Sequence, residues 1–258
     1  MRSAFALAVL LTLPGQLSGQ FLDLGGPIEE ADLLYLSGEA RQSLEVLERY
    51  LAEDSTDVGA LWRAARSAVI IGITEDGSRN QNRWLDPAIG WAGRAVELEA
   101  DNVDGLYWRG VATGRRAMNA APSYAAQLAQ VVYDDAHAIL ATDPDHGGAH
   151  NMLGKLNYEV MALSRVKRLA ARTFMGNDAL RDMSWENAEH HLSLAAEAWP
   201  DYVLFHFDLA QLHRRRDRRE EAIESYRRVL ALPAVHPVDA GFQDQARAQL
   251  AEWGVLPS

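Results

Sequence analysis

Three short stretches carry the side chains best suited to chemistry. In ALWRAARSA, Arg63 and Arg66 stand three residues apart, which on a helix puts both guanidiniums on one face. Two such forks can grip a carboxylate or phosphate through paired N–H donors; as surface groups beside a core Trp62 they would pair with nearby acids instead. In GLYWRGV, Tyr107, Trp108 and Arg109 form a second aromatic and basic cluster. One of the two rings must pack in the core, and the other either lines a groove or packs as well. In AHNMLGKLNYEV, Asn151, Lys155 and Tyr158 share a face by their four- and three-residue spacings. Phe207 and Gln211 complete the set of candidate groove positions.

Other polar clusters are less suited to a site. The run HRRRDRR, His213 to Arg219, is either a solvated turn or an attraction point for an anionic headgroup or polyanion. His190 and His191 are adjacent and point in different directions on a helix, and Asp143, His146 and His150 are loosely spaced. Neither group gives H-E-x2-H or a closed zinc spacing, so no metal site is expected. The chain has no cysteine, which excludes disulfides, thiolate ligands and a Cys nucleophile. No G-x-S-x-G, phosphate loop or dinucleotide fingerprint occurs. These features predict a non-enzymatic binding protein without a cofactor. With 25 basic against 36 acidic residues, a nucleic-acid partner is not expected.

The elements that must position these groups are helices. Of 258 residues, 48% are hydrophobic, enough for a substantial core. From Pro27 onward the apolar residues recur at three and four spacings (Leu44, Leu47, Leu51; Leu61, Ala64, Ala65, Ala68), with no sustained alternation. Asp54-Ser55-Thr56-Asp57, Asp143-Pro144-Asp145, Gly176-Asn177-Asp178 and Pro200-Asp201 punctuate them. The fold class is all-α. Upstream, Arg2, the apolar run Ala4 to Leu13 and the break at Pro14-Gly15 have the plan of a cleaved export signal, with an uncleaved anchor as the rival reading. The expected division is a signal peptide over 1–19, a linker over 20–27, one helical domain over 28–254 and a tail over 255–258. The protein is then periplasmic or secreted, and no later run is long enough to span a bilayer.

The helices repeat. Ala188, Leu192, Ala195 and Pro200 follow the second-helix pattern of a tetratricopeptide unit, and Ala222, Tyr226 and Val229 follow it thirty-four residues later. Trp62, Leu106, His150 and His206 fall at equivalent first-helix places, at spacings of 44, 44 and 56. Leu153 and Gly154 fit the first-helix pattern W-x2-L-G-x2-Y, while His150 and Asn157 stand where it has its aromatics. Insertions account for the long spacings: a polar loop from Thr74 to Asn82, and a helix from near Gly148 running past Ala170, ~35 Å at 1.5 Å per residue. Small residues such as Ala92, Gly110 and Gly154 let neighbouring helices approach. The expected architecture is a superhelical solenoid of about four to five helical hairpins, its concave groove the default binding site.

Longer stretches carry a family resemblance. ADLLYLSGEARQSLEVLERYL (31–51), ALWRAARSA (60–68), GLYWRGV (105–111), AHNMLGKLNYEV (149–160) and YRRVLALPAV (226–235) resemble, in that order, the regulator of microtubule dynamics family, over roughly residues 28–254. The resemblance implies a tetratricopeptide-like helical domain without enzymatic activity. Eukaryotic members are associated with microtubules, some with lipid at organelle contacts; an exported Ala- and Arg-rich chain is similar to a bacterial relative instead. A Lys with an Asn one turn before it resembles the pairs by which tetratricopeptide proteins hold a peptide's terminal carboxylate, with the usual order reversed. The expected partner is a protein or peptide segment in the groove, and the alternative is a lipid or other amphiphile in the same place.

Overall fold

The computed structural model describes residues 25–164, 168 and 183–255. The stretch expected to be an export signal, most of the expected linker, the end of the tail and the Gly176-Asn177-Asp178 turn lie outside the described residues. Among those described there are eleven α-helices: α1 (Pro27–Leu36), α2 (Ala40–Glu53), α3 (Val58–Thr74), α4 (Ser78–Leu98), α5 (Val103–Met118), α6 (Pro122–Thr142), α7 (Gly147–Ala162), α8 (Trp185–Ala198), α9 (Val203–Arg215), α10 (Arg219–Ala231) and α11 (Asp239–Glu252). Successive helices pair as hairpins, α1 with α2 through α9 with α10, and α11 closes the last one. Each odd-numbered helix also touches the next odd one, from α1 to α11. The odd helices therefore line the inner face of the superhelix, and the even ones form its outer layer.

The turns show why the helices start where they do. Asp57 and Asn102 accept a hydrogen bond from the backbone N–H three residues on, each at 2.8 Å. His146 Nδ1 does the same for Ala149 (3.0 Å), and Ser184 Oγ for Asn187 (3.0 Å). Each satisfies a donor that the first helical turn leaves unpaired. Counting from the caps at Asp57, Asn102, His146 and Tyr202, the equivalent residues are Leu61, Leu106, His150 and His206. Leu61, not Trp62, holds the repeat position in α3. The two histidines do what an apolar side chain cannot. His150 Nε2 lies 2.9 Å from the Pro144 carbonyl and His206 Nε2 2.8 Å from that of Pro200. A carbonyl only accepts, so each Nε2 carries the proton and ties its helix to the preceding turn.

Both expected insertions take a different form. Only Glu75 to Gly77 separates α3 from α4, with Gly77 at φ 79° making the reversal. Gln81 and Asn82 are polar because they sit in α4 and accept hydrogen bonds from Asn119 at the end of α5 (2.9 and 3.0 Å), not because they lie in a loop. Helix α7 stops at Ala162, where Leu163 turns to extended backbone (ψ 148°).

Packing follows the small residues. A Cβ on Gly154 would come within 2.7 Å of the Leu192 side chain and 2.9 Å of the Leu192 backbone nitrogen, so α7 and α8 touch at van der Waals distance there. The largest core cluster spans α1 to α5, around Leu47, Leu61, Val69 and Leu85. A second surrounds Phe207, Tyr226 and Leu250 in α9 to α11. Val238, just before α11, packs against the first of these clusters rather than the second. Through Val238 the segment before α11 reaches back to the core of α1 to α5.

Candidate functional site

The candidate residues fall into two constellations on the inner helices. In the first, Asp32 of α1 faces α3. Arg63 Nε donates to its Oδ2 (2.9 Å) and Arg66 Nη2 to its Oδ1 (2.5 Å). Arg63 lies 4.0 Å over the Trp62 ring and Arg66 3.8 Å over Tyr35. Both guanidiniums are thus stacked and partly paired, with 21% and 12% of their side-chain surface exposed. Burial pushes the Tyr35 phenol up to about 12, against the pull of Arg66 and with the help of Asp239 and Asp32.

In the second, Asp208 of α9 faces α7. Lys155 Nζ donates to its Oδ1 (2.9 Å) and Asn151 Nδ2 to its Oδ2 (3.0 Å). Lys155 also lies 3.6 Å from Glu159 and 4.9 Å over the Tyr158 ring. Burial works against the ammonium, but Asp208 and Glu159 outweigh it and hold Lys155 above the ordinary lysine value. Asn151, Lys155 and Tyr158 do share a face, and that face is turned to a buried acid. Tyr158 in turn packs edge-on against Trp185 of α8.

The remaining candidates are distributed. Trp108 is buried in the first core cluster, while Tyr107 packs between that cluster and the one formed by α5, α6 and α7. Tyr107 lies edge-on to Trp108 and 5.7 Å from His146, and its burial raises the phenol. Phe207 belongs to the C-terminal core, against Tyr226 and Phe242. Gln211 is partly exposed on α9 and accepts from Arg214 (3.0 Å). Arg109 turns outward from the groove to α6, where it holds the buried Asp135 (2.5 and 3.0 Å).

The run from His213 to Arg219 is tied down rather than free. Arg214 donates to Gln249 (2.6 Å), Arg218 pairs with Glu189 (2.7 Å), Arg219 donates to the Trp253 carbonyl (3.0 Å), and Arg216 lies over Trp185. His190 and His191 do not converge with carboxylates. His191 Nδ1 instead lies 3.0 Å from His150 Nδ1, which must accept because His150 carries its proton on Nε2. Burial first, then His150, His190 and His137, push His191 down to about 4. Among the described residues, no group of three or more His, Asp or Glu could hold a metal ion, and no helix is long and apolar enough to cross a membrane.

The sequence alone did not reveal the acids that organise both constellations. Asp208 carried a signal, being the one acid in the apolar run VLFHFDLAQL; Asp32 sits equally plainly before Leu33-Leu34. Tyr202, His236 and Asp239, which meet at the connection before α11, gave none. Tyr202 lies 4.5 Å from the His236 ring. Burial raises its phenol, with Tyr107, Tyr35 and Asp239 acting in the same sense and Arg66 opposing them.

This geometry can be set beside known proteins. The structure of TTC0263, a thermophilic TPR protein in Thermus thermophilus, is similar with a TM-score of 0.62 at 18% identity, over 87% of this chain and 97% of that one. A likeness of that identity shows the tetratricopeptide-like fold. MamA 41-end from Desulfovibrio magneticus RS-1 gives a TM-score of 0.47 at 14% identity, over 81% of this chain and 96% of that one. No curated protein sequence matches the chain significantly. The family model described as Regulator of microtubule dynamics protein 1-3 matches residues 27–254. With that match covering every described helix, the chain belongs to the regulator of microtubule dynamics family.

Proposed function

We propose that the chain is a non-enzymatic scaffold that takes up a protein or peptide segment on the inner helices of its solenoid. One observation carries this reading: Arg63 is held in place by Asp32 and the Trp62 ring while keeping part of its surface exposed. A cation oriented in this way loses little freedom on meeting a partner's carboxylate, so more of the contact energy appears as affinity. The tetratricopeptide-like architecture supports the same reading, because stacked hairpins present a long inner surface to an extended chain. The export pattern over residues 1–19 supports a site of action outside the cytoplasm, which N-terminal sequencing of the mature protein would check.

The test is a pull-down from cell-envelope extract with wild-type protein and with Arg63→Ala combined with Gln211→Ala. A specific partner should be retained by the wild type and lost by the variant, with the circular dichroism unchanged. Retention by both would remove the inner helices from the reading. A co-purifying lipid mass in native mass spectrometry would move it to an amphiphile carrier.

A further inference from the structure

A connection near the end of the chain packs back on the α1–α5 core. The connection between α10 and α11 is irregular from Pro233 to Val235, turns over His236 to Val238, and enters α11 at Asp239. Asp239 shapes this strap: its Oδ2 accepts from the N–H of Val235 (3.0 Å) and of His236 (2.7 Å). Val238 packs against the α1–α5 core, and the His236 ring lies on Tyr202. Asp239 is only 1% exposed.

The fit is incomplete in one respect. Asp239 Oδ1 is buried without a hydrogen-bond partner, and so is Arg66 Nε. Arg66 spends one arm on Asp32 and leaves the other half of its fork unused, although a guanidinium grips a carboxylate best with both. The two orphans flank one cluster: Arg66 is stacked on Tyr35 of the α1–α5 core, and Val238, beside Asp239, packs against that same core. A buried donor and a buried acceptor that do not meet mark a contact that another carboxylate could make better.

We propose that the strap from Val235 to Asp239 stands in, within the chain, for a carboxylate-bearing partner segment, and that Tyr35, Arg66 and Tyr202 form the surface for which the two compete. The partner segment has the chemistry of the strap: a proline, a small aliphatic side chain, then an acid that reaches the free edge of Arg66. This inference rests on the scaffold reading and deepens it. Binding then requires the strap to lift, so the closed form has a lowered apparent affinity in proportion to how seldom it opens.

The probe is a fluorescein-labelled peptide of residues 233–240, PAVHPVDA, added to the full chain. The wild type is compared with an opened variant, Val238→Ser with His236→Ala, and hydrogen exchange reports whether the strap amides of the variant are released. The expected result is faster exchange at residues 235–239, with peptide anisotropy showing at least tenfold tighter binding to the variant than to the wild type. Replacing the peptide's acid with alanine, or Arg66→Lys in the opened variant, should each weaken that binding about tenfold. A released strap with no peptide binding overturns the proposal, as does unchanged exchange, which would mean that these contacts do not hold the strap. Equal binding to the wild type and the variant also overturns it. If the peptide fails while Arg63→Ala with Gln211→Ala still abolishes partner capture, only this inference falls; if capture survives that variant too, the scaffold reading falls with it.

Discussion

The two constellations on the inner face use one device in opposite order. Near the N-terminus the acid comes first, Asp32 on α1, and the cations follow on α3. Near the C-terminus the cation comes first, Lys155 on α7, and the acid follows as Asp208 on α9. What separates them is burial of the acid. The side chain of Asp32 is 32% exposed and that of Asp208 is 6% exposed. A carboxylate that water can reach tolerates the loss of its partner; one enclosed by packed helices does not. The first constellation is therefore suited to exchanging partners, and the second to holding α7 against α9.

The largest effect that would sharpen this contrast is Lys155→Met. It leaves Asp208 enclosed with only Asn151 as donor, and should cost about 2–3 kcal/mol in urea unfolding, below the range for a fully buried pair because Lys155 is itself partly exposed. A cost under about 0.5 kcal/mol would show that water reaches Asp208.

A second difference is chemical. All eight histidines lie at residue 137 or beyond, so α1 to α5 contain none. His191 titrates at about 4 in the fold, below its ordinary 6.5. The neutral form is the folded one, so its contribution is complete above pH 6.5 and is lost as the pH falls toward 4. His146, His206, His213 and His236, lowered first by burial, act in the same direction. Acidification should loosen α7 and α8 before α1 to α4, read by hydrogen exchange at pH 7 and pH 4.5, and His191→Gln should flatten part of the slope. Simultaneous loosening would mean that the halves unfold as one unit.

The smallest effect is Arg63→Ala, expected to cost less than about 1 kcal/mol because Asp32 keeps Arg66 as a partner and 32% of its side chain is exposed. A cost comparable with that of Lys155→Met would erase the distinction between the two ends.

The helices and their repetition were legible in the sequence because they rest on local signals: spacing, caps and small residues such as Gly154. The polar stretch Ser78 to Asn82 misled because hydrophilic residues mark an exposed or hydrogen-bonded helix face as readily as a loop. The site was half legible. Arg63, Arg66, Asn151 and Lys155 stood out by type and spacing, but their acids lie 31 to 57 residues away, where no periodicity connects them. The strap was not legible at all. Its contacts join the last turn of the solenoid to the first, and only the cumulative curvature of the stack brings them together.

That closure is the central claim, and hydrogen exchange on the full-length Val238→Asp variant tests it most directly. A charge at residue 238 should speed exchange of the strap and, far away in sequence, of α1 and α3 around Tyr35 and Arg66. Faster exchange confined to residues 232–242, with α1 and α3 unchanged, would contradict it.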